Sequence, residues 1–349
     1  MINTKVLDDK QHLRLAGEWL LNAQKNGKGG YAHSFSLING WLAGYPETTG
    51  YIIPTMLELG KVLNEQKFID SAKQAGDWLL SIQNRDGSFL DLSGRKQVFD
   101  TGQIVYGFLA LNEVDAAQKY LDSMTKAVNW LIDTQEPNGS WVKFAYHNRP
   151  HSYYSRVGAI LVKMGDIWKN QKIKDAGIRN IGWVLDNQLD NGSFGYMSFV
   201  DEQPYLHTIV YVLEGLMECY SVLNDQKILN KVVLSANKLI EVSRRDCILR
   251  SQYGRNWEIT NGEKCISGLA QWSLVCFKLN KFTQNEEYLT EARKNLEYLK
   301  RKQVVRSGLN LKGALSGSVP IWGKYGRFAF LNWGVKYFID ALLRGIAIS

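Results

Sequence analysis

Proline is scarce in this chain, with six in 349 residues, so little stands in the way of long helices. Cysteine is scarce too. Cys219, Cys247, Cys265 and Cys276 show no CxxC or other metal-ligand spacing, which leaves no zinc motif and fits buried thiols in a reducing compartment. No apolar run reaches the roughly 20 residues that span a bilayer. The N-terminus, MINTKVLDDKQHLRLAGEWLL, lacks the basic, apolar, small-residue order of a secretory leader. These absences predict a cytoplasmic protein with no membrane partner. No block of five like charges occurs, which argues against a nucleic-acid tail. There is no phosphate loop and no dinucleotide fingerprint. No cofactor and no metal are expected.

What the chain does have is apolar bulk and a repeat. It is 45% hydrophobic and 12% aromatic, with a formal net charge of +8. A moderate positive field favours an anionic ligand. The segments AGEWLLNAQKNGKGGY from Ala16, AGDWLLSIQNRDGSF from Ala75, AVNWLIDTQEPNGSW from Ala127 and NIGWVLDNQLDNGSF from Asn180 read alike. Their tryptophans Trp19, Trp78, Trp130 and Trp183, and their glutamines Gln24, Gln83, Gln135 and Gln188, keep the same intervals. Two weaker copies begin at Ser235 and Glu291. Each copy carries apolar residues at helical spacing, and the strong ones stop at Asn/Asp-Gly or a Gly-rich turn. Six more apolar helical patterns lie between them, and a helix apolar on most sides belongs inside. The order is outer, inner, six times. Six such hairpins bury their faces by closing into a ring, so the expected fold is all-α: one (α/α)6 toroid over residues 1–349. An open solenoid is the competing arrangement.

The Q-x-x-D/N-G-S-F/W element, at Gln83–Phe89, Gln135–Trp141 and Gln188–Phe194, resembles the QW-type repeat of the prenyltransferase and squalene-cyclase toroids. The resemblance implies the toroid and no particular chemistry. The DxDD acid motif of triterpene cyclases, the zinc set of prenyltransferases and the Cys-His pair of lanthionine cyclases do not occur here. The six-hairpin shape also looks like that of glycoside hydrolases, unsaturated-glucuronyl hydrolases, sugar 2-epimerases and polysaccharide lyases.

In a closed ring the inner helices all start at one mouth. The first inner turns carry Glu47, Tyr51, Asp100, Gln103, His151, Tyr153, Tyr154, Arg156, Tyr205, His207, Lys264, Asn332 and Trp333. Glu47 and Asp100 lie one hairpin apart and suit the two carboxylates of glycoside hydrolysis. Asp100 also suits a helix N-cap. Tyr153, Tyr154, Arg156 and His207 suit proton abstraction from a uronate, as in a lyase or epimerase. Tyr31, His33, Trp257, Trp322 and Tyr325 are candidate saccharide contacts. Lys264, Arg255, Lys324 and Arg327 are candidates for a positive wall. The expectation is an enzyme acting on an acidic saccharide, by hydrolysis or by elimination or epimerisation. A saccharide-binding toroid and a terpenoid cyclase-like enzyme are the alternatives.

Overall fold

The computed structural model describes residues 7–200 and 203–348. Met1–Val6, the start of the segment read for a leader, lies outside the described residues, as does the last residue of the expected 1–349 unit.

Twelve helices alternate along the described chain. The outer ones are α1 (Asp9–Asn26), α3 (Gln66–Ile82), α5 (Gln118–Asp133), α7 (Gln171–Asp186), α9 (Gln226–Asp246) and α11 (Glu286–Lys302). The inner ones are α2 (Pro46–Leu63), α4 (Val98–Val114), α6 (Ser155–Ile167), α8 (Leu206–Leu223), α10 (Ile266–Thr283) and α12 (Asn332–Ile348). Each inner helix packs on the next, and α12 packs on both α2 and α1. The ring is therefore closed, and the fold is an (α/α)6 toroid.

The outer helices bury one face only. In α3 that face is Phe68, Ser71, Ala72, Ala75, Gly76 and Leu79, the i, i+3, i+4 spacing of an amphipathic helix. The inner helices bury most of their surface. α8, which is long and apolar enough by composition to cross a bilayer, is enclosed in the ring and turns His207, Tyr211 and Glu214 inward.

The repeat glutamine is the joint between hairpins. Gln83 Nε2 donates to Gly87 O in its own turn and to Ser123 O on α5, both at 3.0 Å. Gln24 links α1 to Ser71 O, Gln135 links α5 to Ala176 O, and Gln188 links α7 to Lys231 O. Gln303 completes the circle by donating to His12 O on α1 at 3.1 Å. At the corresponding place in the weak copy on α9, Ser243 Oγ bonds Glu291 on α11 at 2.8 Å. The turn glycines are required. Gly87 has φ +95°, and an added Cβ would lie 2.3 Å from the Lys126 carbonyl oxygen on α5; no L side chain fits there.

Inner-to-outer links are short. The long outer-to-inner loops all reach the opposite end, where they form the mouth. Three small antiparallel ladders stiffen them. β1 (Ser34–Ser36) lies between β2 (Gly40–Trp41) and β7 (Ala329–Leu331), with Phe35 opposite Phe330. β3 (Gln252–Tyr253) pairs with β4 (Ile259–Asn261), and β5 (Lys264–Cys265) pairs with β6 (Ser318–Val319). The β1–β7 pairing joins the first loop to the last, a second closure of the ring at its mouth.

Candidate active site at the mouth of the ring

A cavity of about 220 Å³ opens where the inner helices begin. Polar groups in its wall come from Glu47 and Thr48 of α2, Asp100 of α4, His207 of α8, and Gln97 and His33 of the feeding loops. The rest is aromatic and includes Tyr45, Tyr51, Phe99, Tyr153, Tyr211 and Trp333.

The phenol of Tyr45 holds one of the two carboxylates. Tyr45 precedes Pro46, and extended backbone at Tyr45 turns its ring into the mouth. Its hydroxyl donates to Glu47 Oε2 at 2.5 Å and also favours the charged form of Asp100. Both carboxyls face this one cavity from neighbouring inner helices, the kind of pair that glycoside hydrolysis uses. Burial raises Glu47 from 4.5 to about 7, against the pull of Tyr45 and Arg156. Asp100 is also pushed well above the usual carboxylate range, by burial and then by the Glu47 charge. Its Oδ2 is buried with no hydrogen-bond partner. Asp100 does not cap its helix. It is the third residue of α4, whose N-cap is Gln97 without a side-chain bond. Both carboxyls are thus held above the usual carboxylate range, and Glu47, at about 7, is poised between forms at neutral pH.

His207 lies near Tyr211, with ring centroids 4.3 Å apart, and near Tyr325 at 5.7 Å. Burial lowers it to about 3, so the imidazole is neutral. His33 is lowered to about 4 in the same way and packs edge-on against Trp333.

Of the residues read from the sequence, Glu47, Asp100, Tyr153, Tyr154, His207, His33, Tyr51, Tyr325 and Trp333 line the cavity. The others do not. Arg156 turns down the axis instead. Its Nη1 lies 2.7 Å from Glu214, and its Nε donates to Gln103 Oε1 at 2.8 Å. A guanidinium buried this deeply needs a carboxylate, and Glu214 supplies it below the floor of the mouth. Gln103 belongs to the same buried layer. Tyr31 is a repeat aromatic, bonded to Ser71 at 2.7 Å. His151 bonds the backbone oxygens of Tyr146 and Ser198 and stacks behind Tyr153. Tyr205 packs behind Tyr325. Asn332 ties α12 to Ala32 O and Thr48 Oγ1.

The positive wall does not form. Lys264 sits in β5, where Arg250 and Lys302 are its charged neighbours. Arg327 lies over the Phe328 ring, and Trp322 is 61% exposed away from the cavity. Trp257 donates to Asn191 O in a neighbouring turn. Neither Arg255 nor Lys324 lines the cavity. The sequence reading missed Tyr45, Gln97, Phe99, Tyr146, Phe199 and Tyr211. Only Tyr211 carried a signal, one turn after His207 on the same face of α8.

Residues 41–159 match the family model of the squalene-hopene cyclase C-terminal domain, which covers the second and third repeat glutamines. No curated protein matches the chain. Among solved structures, an unsaturated glucuronyl hydrolase specific for heparin has a TM-score of 0.79 at 14% identity, covering 97% of both chains. Cellobiose 2-epimerase from Bacillus thermoamylovorans has a TM-score of 0.74 at 13% identity, covering 95% of this chain and 98% of that one. Unsaturated glucuronyl hydrolase from Streptococcus agalactiae, in complex with dGlcA-GalNAc6S, has a TM-score of 0.71 at 14% identity, covering 99% and 93%. At such identity the likeness is one of fold.

Proposed function

We propose that the mouth is the active site of a carbohydrate-active enzyme that hydrolyses a glycosidic bond. The observation that carries this reading is the pair of carboxyls, Glu47 and Asp100, inside one aromatic cavity. Asp100, kept protonated, gives its proton to the leaving oxygen. Glu47 activates water or attacks the anomeric carbon. The aromatic walls suit the C–H faces of sugar rings. Folds of this shape that act on saccharides support the class of substrate. With no Lys or Arg in the lining, we place a neutral sugar unit between the carboxylates rather than the uronate expected from net charge. We place the protein in the cytoplasm, where its four free thiols suit the reducing conditions.

One observation favours a second reading. His207 is neutral and faces the cavity, as a base for epimerisation would be. The test is a panel of neutral and uronate-ended oligosaccharides. New reducing ends mark hydrolysis, a new ultraviolet absorbance marks elimination, and isomerised sugar marks epimerisation. Glu47→Gln and Asp100→Asn are each expected to lower kcat by about 10²–10⁴-fold. Undiminished turnover in either variant would remove the carboxylates from the chemistry. Turnover confined to uronate-ended substrates would overturn the neutral unit.

A further inference from the structure

Beneath the floor of the mouth, four buried side chains form a single line. Arg156 Nη1 meets Glu214 Oε1 at 2.7 Å. Gln271 Nε2 donates to Glu214 Oε2 at 2.7 Å. Gln271 Oε1 lies 2.9 Å from His207 Nδ1. Each residue is at least 96% buried, and Gln271 is wholly so.

The chemistry of this line fixes every proton in it. Burial alone would neutralise Glu214, but Arg156, Lys278, Lys336 and the Gln271 bond together outweigh burial and hold it at about 2, so it is a carboxylate and only accepts. The Gln271 amide must therefore turn its NH₂ to Glu214. The reversed amide would set an oxygen against a carboxylate at 2.7 Å. Its carbonyl then faces His207, and two acceptors cannot share 2.9 Å. His207 Nδ1 must carry the proton. A neutral imidazole protonated there has a bare Nε2. The same stripe of α8 supplies His207, Tyr211 and Glu214, while α10 supplies Gln271. The two helices come close enough because residue 268 is glycine: a Cβ there would lie 2.8 Å from the His207 backbone nitrogen.

We propose that Gln271 and Glu214 are positioning residues that hold His207 as the Nδ1–H tautomer, so that its Nε2 accepts a hydrogen bond from a saccharide hydroxyl in the mouth. This rests on the mouth being the site of action and not on whether hydrolysis or epimerisation occurs there. A packing role for His207 would be indifferent to tautomer. A role as acceptor is not, because the other tautomer presents an N–H to the hydroxyl.

The test is two-bond proton–nitrogen NMR of the whole protein with labelled histidine. His207 is picked out of the five histidines by its loss in His207→Gln. The expected wild-type spectrum shows a protonated Nδ1 and an unprotonated Nε2. Gln271→Leu removes the acceptor and is expected to lose this preference. Gln271→Glu, holding a proton on the oxygen that faces Glu214, still turns an acceptor oxygen to His207 and keeps Nδ1 protonated. A wild-type Nε2–H overturns the proposal and needs no variant to fold. Identical spectra in Gln271→Leu and wild type also overturn it. These spectra need no substrate, so they fail separately from the turnover test of Glu47 and Asp100. Where turnover is measurable, Gln271→Leu is expected to lower kcat by about tenfold or more, as a wrong tautomer does in hydrolases, and Gln271→Glu less. Equal losses in both would point to packing and overturn the role.

Discussion

Glu47→Gln is expected to make the protein more stable at neutral pH while removing activity. Folded Glu47 keeps its proton up to about pH 7, whereas the unfolded chain releases it near 4.5. Between those values the folded state binds more protons than the unfolded state. Wild-type stability therefore falls as pH rises through this window and levels off above about 7. Glutamine has no proton to release, so the variant escapes that decline. The shift from 4.5 to about 7, at about 1.4 kcal/mol per unit, sets a ceiling of about 3 kcal/mol. Solvent entering from the mouth lowers it somewhat, because Glu47 is only partly buried. An unfolding entropy of about 2.1 cal/mol/K per residue over 349 residues turns that ceiling into roughly 4 °C in Tm. The assay is thermal unfolding of both proteins from pH 4.5 to 8.5, followed by circular dichroism. The difference in Tm is expected to widen in favour of the variant between pH 4.5 and 7. A difference that stays constant with pH, or widens in favour of the wild type, would refute the raised pKa of Glu47 and weaken the case for it as base.

Two other outcomes concern the ring. Gly87→Ala places a Cβ at positive φ against the α5 backbone, and is expected to cost about 2–4 kcal/mol, read by urea unfolding. Arg156→Met leaves the buried Glu214 without its guanidinium, with only the Gln271 amide bonded to it and Lys278 and Lys336 acting from further off; a loss of about 3–5 kcal/mol is expected by the same measurement, and a neutral effect would mean that solvent reaches Glu214.

The fold was legible because its joints are local. Trp, Gln and Gly recur at fixed offsets within one helix and its turn, and a single hydrogen-bond pattern repeats with them. The carboxylates were legible because helix starts can be placed from periodicity, and all inner starts share one end. What escaped was direction. Arg156 stands in a first turn as expected, but its charge is drawn to Glu214, two turns down α8, and nothing near position 156 in the chain announces that partner. Lys264 lies in a two-residue strand and Arg327 in an irregular loop, and neither is long enough or regular enough for a period to say which way a side chain points. Tyr45 sits before its helix and outside any register, so the phenol that bonds Glu47 could come only from coordinates. Its neighbour Pro46 gives the start of α2 but not the aim of the ring before it.

The bond from Gln303 to His12 and the pairing of β1 with β7 have a consequence for how this molecule comes apart. In an open array each unit leans on two neighbours at most, and an end can peel away while the middle survives. Here no hairpin is an end. Removing any one exposes two apolar flanks at once and opens the polar axis to water on one side. Melting should accordingly be all-or-none, with the seam between α12 and α1 as firm as the other five. The contacts that seal that seam span nearly the whole chain, so they form last and set the pace of folding.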